Sequence, residues 1–443
     1  MKHASLSIAN PAPLMTSLRH KIALAAAVLG GLLLVVVWAS GQAPAAWWLL
    51  FLSLSLFGLG LGLYVKETYF GQPAGVRHHL LWFKSITARG VWAWVLGVLF
   101  TGFYVCLYWF PQYLQGLIRL FDPLSRVFRN TAADQWFVYG SLYTLALLYM
   151  GVRFIAKYRY NRYQVIRTIS VMFFQFGFAW MLPGLLLRLQ QPELYFTYFW
   201  PLNYFYGTPN AHDYFTGTGN LGTFFFFFGL VMFFVASPIL TYFYGKRWYC
   251  SWVCGCGGLA ETAGDPFRHL SDKSLGAWKL ERWMIHSVLV FVTVTTALLW
   301  INAFNGRFLF GGASETLYKT YAFLVGSVFS GVVGVGFYPL LGSRVWCRFG
   351  CPMAAWLGIW QKKKSKFRIT VNGGQCISCG NCSSFCEMGI DVRQYAQRGQ
   401  DVVRASCVGC GLCAAVCPRG VLRLENAAED VGQRAQSVRN GGE

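Results

Sequence analysis

Thirteen of the fourteen cysteines lie beyond residue 249 and follow short, regular spacings. Residues 376–386 read CISCGNCSSFC, and residues 407–418 read CVGCGLCAAVCP. Each run contains the pattern Cys-x-x-Cys-x-x-Cys-x-x-x-Cys. Such spacings are typical of metal ligands rather than of a secreted disulfide framework. Only Cys106 stands apart, among apolar residues, and we interpret it as a small apolar side chain that fills space.

The two four-cysteine runs have the spacing with which bacterial ferredoxins hold two 4Fe–4S clusters. Three close thiolates hold one cubane, and the fourth cysteine reaches the other cluster. We therefore predict one cluster on Cys376, Cys379, Cys382 and Cys417, and the other on Cys407, Cys410, Cys413 and Cys386. Gly380 and Gly411 lie inside the loops, where a small residue lets backbone N–H groups approach sulfur. Structural zinc is the competing interpretation, and two complete four-cysteine runs disfavour it.

Two further cysteine pairs, Cys250/Cys254 and Cys347/Cys351, each follow a predicted membrane helix. We place both pairs at the inner ends of those helices, and the four-residue offset predicts that each pair shares one helical face. Cys256 is an alternative ligand. Three hypotheses stay open for these cysteines: a third metal or iron–sulfur centre, a redox-active dithiol, or a structural role. Four basic neighbours are expected to lower the thiol pKa and favour thiolate; they are Lys246, Arg247, Arg344 and Arg348.

The elements that must position these cysteines are membrane helices. Hydrophobic residues make up 55% of the 443 residues and charged residues only 12%. The apolar residues fall in runs of about twenty, the length that crosses a bilayer core, and a lone apolar run satisfies its backbone there only as a helix. We predict eight spans, near residues 21–40, 45–65, 90–110, 135–155, 168–189, 221–245, 283–303 and 319–342.

The charge distribution predicts the orientation. The chain has 38 Lys and Arg against 17 Asp and Glu, and the basic residues concentrate in the loops after spans two, four, six and eight. The basic side of a membrane protein is cytoplasmic, so we predict that both termini lie in the cytoplasm. Because the basic residues face anionic lipid, the lipid bilayer is the expected partner and nucleic acid is not.

The predicted fold class is an α-helical membrane protein of about eight transmembrane helices, with a small C-terminal α+β domain of the two-cluster bacterial ferredoxin type. Residues 367–371 (FRITV) and 421–424 (VLRL) are its predicted strands. We interpret the aromatic loop 190–220 as an interfacial belt, with a docking surface for an outer redox partner as the alternative. The predicted organisation is an N-terminal cytoplasmic segment (1–20), a five-helix membrane region (21–189), an outer aromatic loop (190–220), a three-helix membrane region (221–361), a ferredoxin domain (362–425) and a polar tail (426–443).

Spans six to eight, the two Cys-x-x-x-Cys motifs and the C-terminal module together resemble the NapH-type membrane polyferredoxins, to which NosR and CcoG proteins are similar. The resemblance covers roughly residues 220–424. In that family both motifs end in Cys-Pro. Cys351-Pro352 matches this pattern, whereas Cys254 is followed by Gly255 and Cys256. The resemblance implies electron flow between the quinone pool and a redox partner, as in a quinol dehydrogenase component.

Three functions follow as hypotheses. The first is a respiratory electron carrier in the bacterial inner membrane. It exchanges electrons between quinone or quinol, as a substrate, and a cytoplasmic or periplasmic protein partner. The second is an assembly factor that reduces a metal ion such as copper for a respiratory enzyme. The third is a membrane redox sensor. Whether the protein is itself an enzyme, and its electron donor, acceptor and direction, stay open.

Two acidic residues, Glu261 and Asp265, follow the first cysteine pair in the sequence GLAETAGDPFR. One hypothesis gives them a role in handling protons from a quinol at the inner surface. The alternative is a capped loop, because Asp265-Pro266 is a turn signal.

Overall fold

The computed structural model describes residues 17–40, 47–70, 89–306, 309–310 and 312–426. The predicted cytoplasmic segment 1–20 therefore lies mostly outside the described residues. The polar tail 426–443 lies outside them except for its first residue. The described part of the chain is mostly helical, as the apolar composition predicts.

Seven helices in the described part of the chain are long and apolar enough to cross a membrane, and each falls on a predicted span. They are Leu18–Val36, Trp48–Phe70, Val91–Trp109, Gln135–Tyr158, Arg162–Arg188, Asn220–Tyr244 and Leu275–Phe304.

The eighth predicted span, 319–342, is broken into shorter pieces. It contains the end of helix Ala313–Tyr321, the π-helix Ala322–Val333 and the short helix Tyr338–Leu341. The helical segment therefore begins before the predicted span. It is interrupted after Val333, where Gly334 and Gly336 weaken a helix.

Some of the helices begin at polar residues that cap their first turn. Asp134 accepts a hydrogen bond from the N–H of Phe137, and Ser274 accepts one from Ala277, so each caps the helix that follows it. The α-helices are Leu18–Ser40, Trp47–Val65, Val91–Trp109, Gln115–Arg129, Gln135–Tyr158, Arg162–Phe173, Leu182–Arg188, Pro209–Gly217, Asn220–Val231, Ser237–Tyr244, Arg247–Cys250, Gly255–Thr262, Leu275–Phe304, Ala313–Tyr321, Tyr338–Leu341, Pro352–Lys364, Asn381–Ser384, Val392–Gln397 and Leu412–Ala415.

Segments of π-helix, which is wider than an α-helix, and of 3₁₀-helix, which is tighter, lie between these α-helices. The π-helical segments are Lys66–Phe70, Phe174–Met181, Met232–Ala236, Ala322–Val333 and Trp346–Gly350. The 3₁₀ segments are Pro111–Leu114, Phe205–Gly207, Asp265–Leu270 and Gly373–Gln375. Short π-helical segments inside α-helices often mark functional sites, and one of these segments contains Cys347.

The chain divides into two compact units. The first comprises the described residues of Met1–Thr197 together with Gly258–Leu270 and Gly326–Val345. Its core is apolar, with Leu107, Phe121 and Leu147 fully buried, and Cys106 packs against this core as the sequence predicts. The second comprises Tyr198–Gly257, the described residues of Ser271–Val325 and those of Trp346–Glu443. It holds all thirteen clustered cysteines.

The C-terminal module contains the two predicted strands. Strand β1 (Phe367–Val371) pairs antiparallel with strand β2 (Leu422–Asn426), with Phe367 opposite Asn426 and Val371 opposite Leu422. Phe367, Ile369 and Leu422 turn their side chains to the buried face. The strands therefore join the two ends of the module, and the two cysteine loops lie between them in sequence.

Candidate iron–sulfur sites

The two four-cysteine loops have the same backbone construction. Ser378 and Gly409 occupy corresponding positions, and both have positive φ, 57° and 64°. Gly380 and Gly411 follow the second cysteine of each run, also with positive φ, and each begins a short helix that carries the third cysteine. Glycine adopts this left-handed conformation without a steric cost. The repeated turns wrap each loop around a common centre.

The first loop and the last cysteine come together as the spacing predicts. Cys376, Cys379, Cys382 and Cys417 line one cavity, and Cys382 interacts electrostatically with the other three. Burial raises the pKa of Cys382 to about 11. A thiol in this state holds its proton, so a bound metal must displace it.

The second loop gathers the other predicted set. Cys413 interacts electrostatically with Cys410, Cys407 and Cys386. Burial raises the pKa of Cys407 to about 11. The sulfur of Cys386 accepts a 3.4 Å hydrogen bond from the N–H of Ile390. Four convergent thiols with N–H groups directed at sulfur fit an iron–sulfur cluster.

The two Cys-x-x-x-Cys motifs also share a backbone construction, but it differs from the predicted single helical face. The N–H of Cys254 donates to the carbonyl of Tyr249 at 2.8 Å, and the N–H of Cys351 donates to that of Trp346 at 2.9 Å. Both bonds span five residues, one more than in an α-helix, so the prediction of an α-helical face for each pair is wrong. The wider turn places the second cysteine of each pair just before a new helix.

Each of those new helices begins directly after a cysteine. Helix Gly255–Thr262 follows Cys254, and helix Pro352–Lys364 follows Cys351, which caps it by accepting the N–H of Ala354 at 3.4 Å. Gly255 therefore stands at the position that Pro352 holds in the other motif, so a helix follows each motif with or without the Cys-Pro pair. The positive end of a helix stabilises negative charge at its N-terminus.

The four cysteines of these motifs lie together. Cys351 interacts electrostatically with Cys347, Cys250 and Cys254, and all four are 6–7% exposed. We call this group the four-cysteine centre. Cys256 is only half-buried, and it lies on the first turn of the following helix, near Tyr249.

The second motif lies deeper along the helices than predicted. Trp356 stacks on Phe233 with ring centroids 4.6 Å apart, and the N–H of Lys366 donates to the carbonyl of Tyr242. Helix Pro352–Lys364 therefore runs in the same direction as span Asn220–Tyr244. Cys351 precedes Trp356 by five residues, about 7 Å along a helix. It consequently lies beside the middle of that span, and its predicted place at the inner end of a helix is wrong.

The expected basic neighbours of these thiols have other partners. Arg348 donates to Glu281 at 2.7 Å within the second unit, and Arg344 donates to Glu261 at 2.6 Å within the first. Lys246 lies near Cys407 of the C-terminal module, and Arg247 stacks over Phe367. These four cations therefore have partners outside the cysteine pairs, and their expected effect on the thiol pKa in the pairs stays a prediction.

Hydrogen bonds join the loop after Cys250 to the loop after Cys407. The hydroxyl of Ser251 donates to the carbonyl of Val408 at 2.8 Å. Gln361 accepts the N–H of Lys246 and donates to the carbonyl of Cys407, both at 2.7 Å. Sequence reasoning missed Ser251 and Gln361, because a serine or glutamine near a cysteine carries no spacing signal.

Part of the aromatic loop packs against the four-cysteine centre. The Phe199 ring lies 5.5 Å from the ring of Tyr249, which interacts with Cys254 and Cys351. Tyr204 lies 4.9 Å from Tyr321, which also interacts with Cys351. Phe199 is 3% exposed, so an interfacial belt does not describe this end of the loop.

Glu261 and Asp265 are ion-paired and buried. Glu261 contacts Arg167 and Arg344, and Asp265 accepts from Lys157 at 2.6 Å and from Arg268 at 3.0 Å. Burial alone would raise the pKa of Asp265, but its cationic neighbours hold it well below the usual value. A carboxylate held in this way is a poor proton acceptor, which disfavours the proton-handling hypothesis for Asp265.

Two family models match the chain. The model described as a 4Fe-4S dicluster domain matches residues 369–424 and covers both four-cysteine runs. The model described as a 4Fe-4S binding domain matches residues 225–274 and 323–370 and covers both Cys-x-x-x-Cys motifs. The chain carries iron–sulfur domains on membrane helices. These matches support a membrane polyferredoxin-like protein without distinguishing NapH, NosR and CcoG types.

The chain is 28% identical over 191 residues to YccM of Escherichia coli (strain K12), a protein named for a role in electron transport. The alignment covers 38% of this chain and 47% of YccM, so the chain spans about half the length of this relative. No solved structure matches the chain significantly. Together with the iron–sulfur domains and the seven apolar helices, this relative supports a membrane iron–sulfur protein with a role in electron transfer.

Proposed function

We propose that the protein relays electrons between the quinone pool and a protein redox partner, as a quinol dehydrogenase-like component of a respiratory chain. The setting would be the bacterial inner membrane, with both termini in the cytoplasm. The observation that carries the proposal is the Ser251–Val408 hydrogen bond, which joins the four-cysteine centre to the C-terminal module. A relay needs its centres held close together, and this contact provides that.

In the C-terminal module, 4Fe–4S clusters would supply one-electron transfer when bound. The predicted ligand sets are Cys376, Cys379, Cys382 and Cys417 for one, and Cys407, Cys410, Cys413 and Cys386 for the other. Their convergence supports this assignment. Backbone N–H groups also reach sulfur in each loop, from Ser383 to Cys382 and from Gly409 to Cys407.

At the four-cysteine centre, Cys250, Cys254, Cys347 and Cys351 would hold a third metal or iron–sulfur centre. Two independent features favour ligation over a dithiol or a purely structural role. All four thiols are buried in one group, and a helix begins directly after the second thiol of each motif. Cys256, the alternative ligand, would stay outside the set.

A quinone headgroup would bind in a cavity of about 180 Å³. This cavity lies at one end of span Leu275–Phe304, the end farther from the basic loop. The cavity is lined by Asn302, Ser314, Glu315 and Tyr318, among others. Amide and hydroxyl groups suit the two carbonyl oxygens of a quinone. Quinol oxidation releases two electrons and two protons. The Glu315 carboxylate, which is 52% exposed, would accept each proton in turn and pass it to water.

A row of tyrosines connects this cavity with the four-cysteine centre. The Tyr318 ring lies 5.5 Å from Tyr204, Tyr204 lies 4.9 Å from Tyr321, and Tyr321 interacts with Cys351. The three rings therefore lead from the cavity wall toward the buried thiols. This arrangement supports an electron route from one side of the span to the module on the other.

The test is the iron and acid-labile sulfide content of anaerobically purified protein. The wild type is compared with Cys250→Ala/Cys347→Ala and with the control Cys106→Ala, whose cysteine packs in the apolar core. Two cubanes give about eight irons. An excess over eight that only the double variant loses supports the third iron centre, whereas eight in all three samples removes it. Zinc in place of iron would overturn the electron-transfer proposal.

A second candidate is an assembly factor that reduces copper. Four buried thiols are also a soft ligand set that suits Cu(I), which is the observation in its favour. Copper bound by the wild type at one ion per chain, and lost in Cys250→Ala/Cys347→Ala with no change in iron, would favour this function over the relay.

A further inference from the structure

The two cysteine sets of the C-terminal module differ in their exposure. In the first set Cys379 is exposed, and the neighbouring Ile377 is 56% exposed. In the second set Cys407 and Cys413 are buried. Ser251 and Gln361 donate to backbone carbonyls of the second loop, and the cysteines of the second set are buried or half-buried. The first set, with its exposed cysteine, therefore offers a soluble partner the closer approach.

The surface around the first set is basic. Arg393 and Arg419 line the same cavity as its four cysteines, and the described residues of that lining include no Asp or Glu. The Arg393 guanidinium lies 3.8 Å from the position that a Cβ would take on Gly380. Asp391, the acidic residue nearest in sequence to Arg393, accepts the hydroxyl of Ser383 at 2.6 Å.

We propose that this face, formed by Ile377, Cys379, Arg393 and Arg419, is the docking surface for an acidic, soluble protein that carries single electrons. An exposed apolar side chain at the centre and charged side chains at the rim are the usual anatomy of a transient interface. Opposite charge on the partner steers its approach and aligns it over the exposed cysteine. The identity of the partner as an electron carrier rests on the proposed function.

The test measures binding rather than turnover. Full-length protein in nanodiscs of neutral lipid is titrated calorimetrically with an oxidised acidic flavodoxin as the probe, at low and high salt. The variant Arg393→Glu/Arg419→Glu reverses the rim. The control Lys363→Glu/Arg423→Glu makes the same change in net charge at exposed positions outside the cavity lining.

Wild-type binding is expected to weaken steeply with salt, because exposed charges are screened. The rim variant is expected to bind about tenfold more weakly at low salt, and the control within about twofold of the wild type. Equal weakening in both variants, binding that does not depend on salt, or no binding of flavodoxin would overturn the proposal. The probe is oxidised, so its binding is measured without electron transfer. If the protein contained no iron and still bound flavodoxin as expected, the proposed function would fail while the docking surface would stand.

Discussion

The hydroxyl group of Ser251 donates a 2.8 Å hydrogen bond to the backbone carbonyl of Val408. Ser251 directly follows Cys250, and Val408 directly follows Cys407, so a single hydrogen bond links two cysteine-bearing loops. Ser251 is fully buried, which keeps water from replacing the bond. The separation between the four-cysteine centre and the second cysteine set is therefore fixed by a short, dry contact.

Replacing Ser251 with alanine should loosen the second cysteine loop and leave the first loop unchanged. The buried carbonyl of Val408 would lose a donor, at a cost of about 1–3 kcal/mol. We expect amide hydrogen exchange in residues 407–411 to accelerate about tenfold, equal to roughly 1.4 kcal/mol, with no change in residues 376–382. The control is Ser365→Ala, which removes a hydroxyl that accepts the N–H of Phe367. Equal exchange in both variants would show that Ser251 does not hold the loop.

The two neighbouring thiols Cys254 and Cys256 should differ in their effect on bound metal. Cys254 is buried and interacts with Cys351, whereas Cys256 is half-buried. We expect Cys254→Ser to lose the metal of the four-cysteine centre and Cys256→Ser to retain it. Metal content by elemental analysis, measured on both variants in parallel, distinguishes them. Loss in Cys256→Ser alone would make Cys256 the ligand and exclude Cys254.

The cysteine spacing predicted more of the site than the helical pattern did. The spacing within each run keeps three thiols of each set close in sequence, and the fold brings Cys417 to the first set and Cys386 to the second. The assignment of a cluster to each set stays a prediction. The Cys-x-x-x-Cys pairs were wrongly given an α-helical face, because a five-residue turn leaves no signal in a four-residue spacing. The depth of Cys351 depends on how Trp356 packs against Phe233, a tertiary contact that no local pattern encodes.

Replacing Asp265 with asparagine should destabilise the protein strongly. The change leaves the buried Lys157 and Arg268 without their carboxylate, and breaking a buried ion pair costs about 3–5 kcal/mol. We expect a clear fall in the apparent thermal midpoint of the detergent-solubilised protein. The control Asp213→Asn removes an exposed carboxylate that contacts His212 and should change the midpoint little.

The stabilisation by Asp265 should persist as the pH falls through the neutral range. The pKa of Asp265 is depressed in the folded protein, so its contribution is fully present above the unfolded pKa, about 3.9. That contribution is lost only as the pH falls through the lower, folded pKa. The difference between wild type and Asp265→Asn should therefore not shrink as the pH falls from 8 to 5. A difference that shrinks within this range would mean that the carboxyl is not held ionised by its cations.

Replacing Asn302 with leucine should weaken quinone binding if the cavity is the quinone site. Asn302 is 7% exposed and donates to Ser314 at 2.9 Å, so its amide is fixed at the cavity wall. A leucine of similar size removes the polar group, and a lost hydrogen bond to a buried partner costs about 1–3 kcal/mol. We expect labelling by a photoreactive azidoquinone within residues 299–318 to fall about tenfold or more. The control Asn305→Leu changes an exposed asparagine on the next turn, which donates to Ile301, and should leave the labelling intact. The quinone would bind elsewhere if labelling fell equally in both variants or concentrated outside residues 299–318. That result would not affect the assignment of the cysteine sets or the iron count.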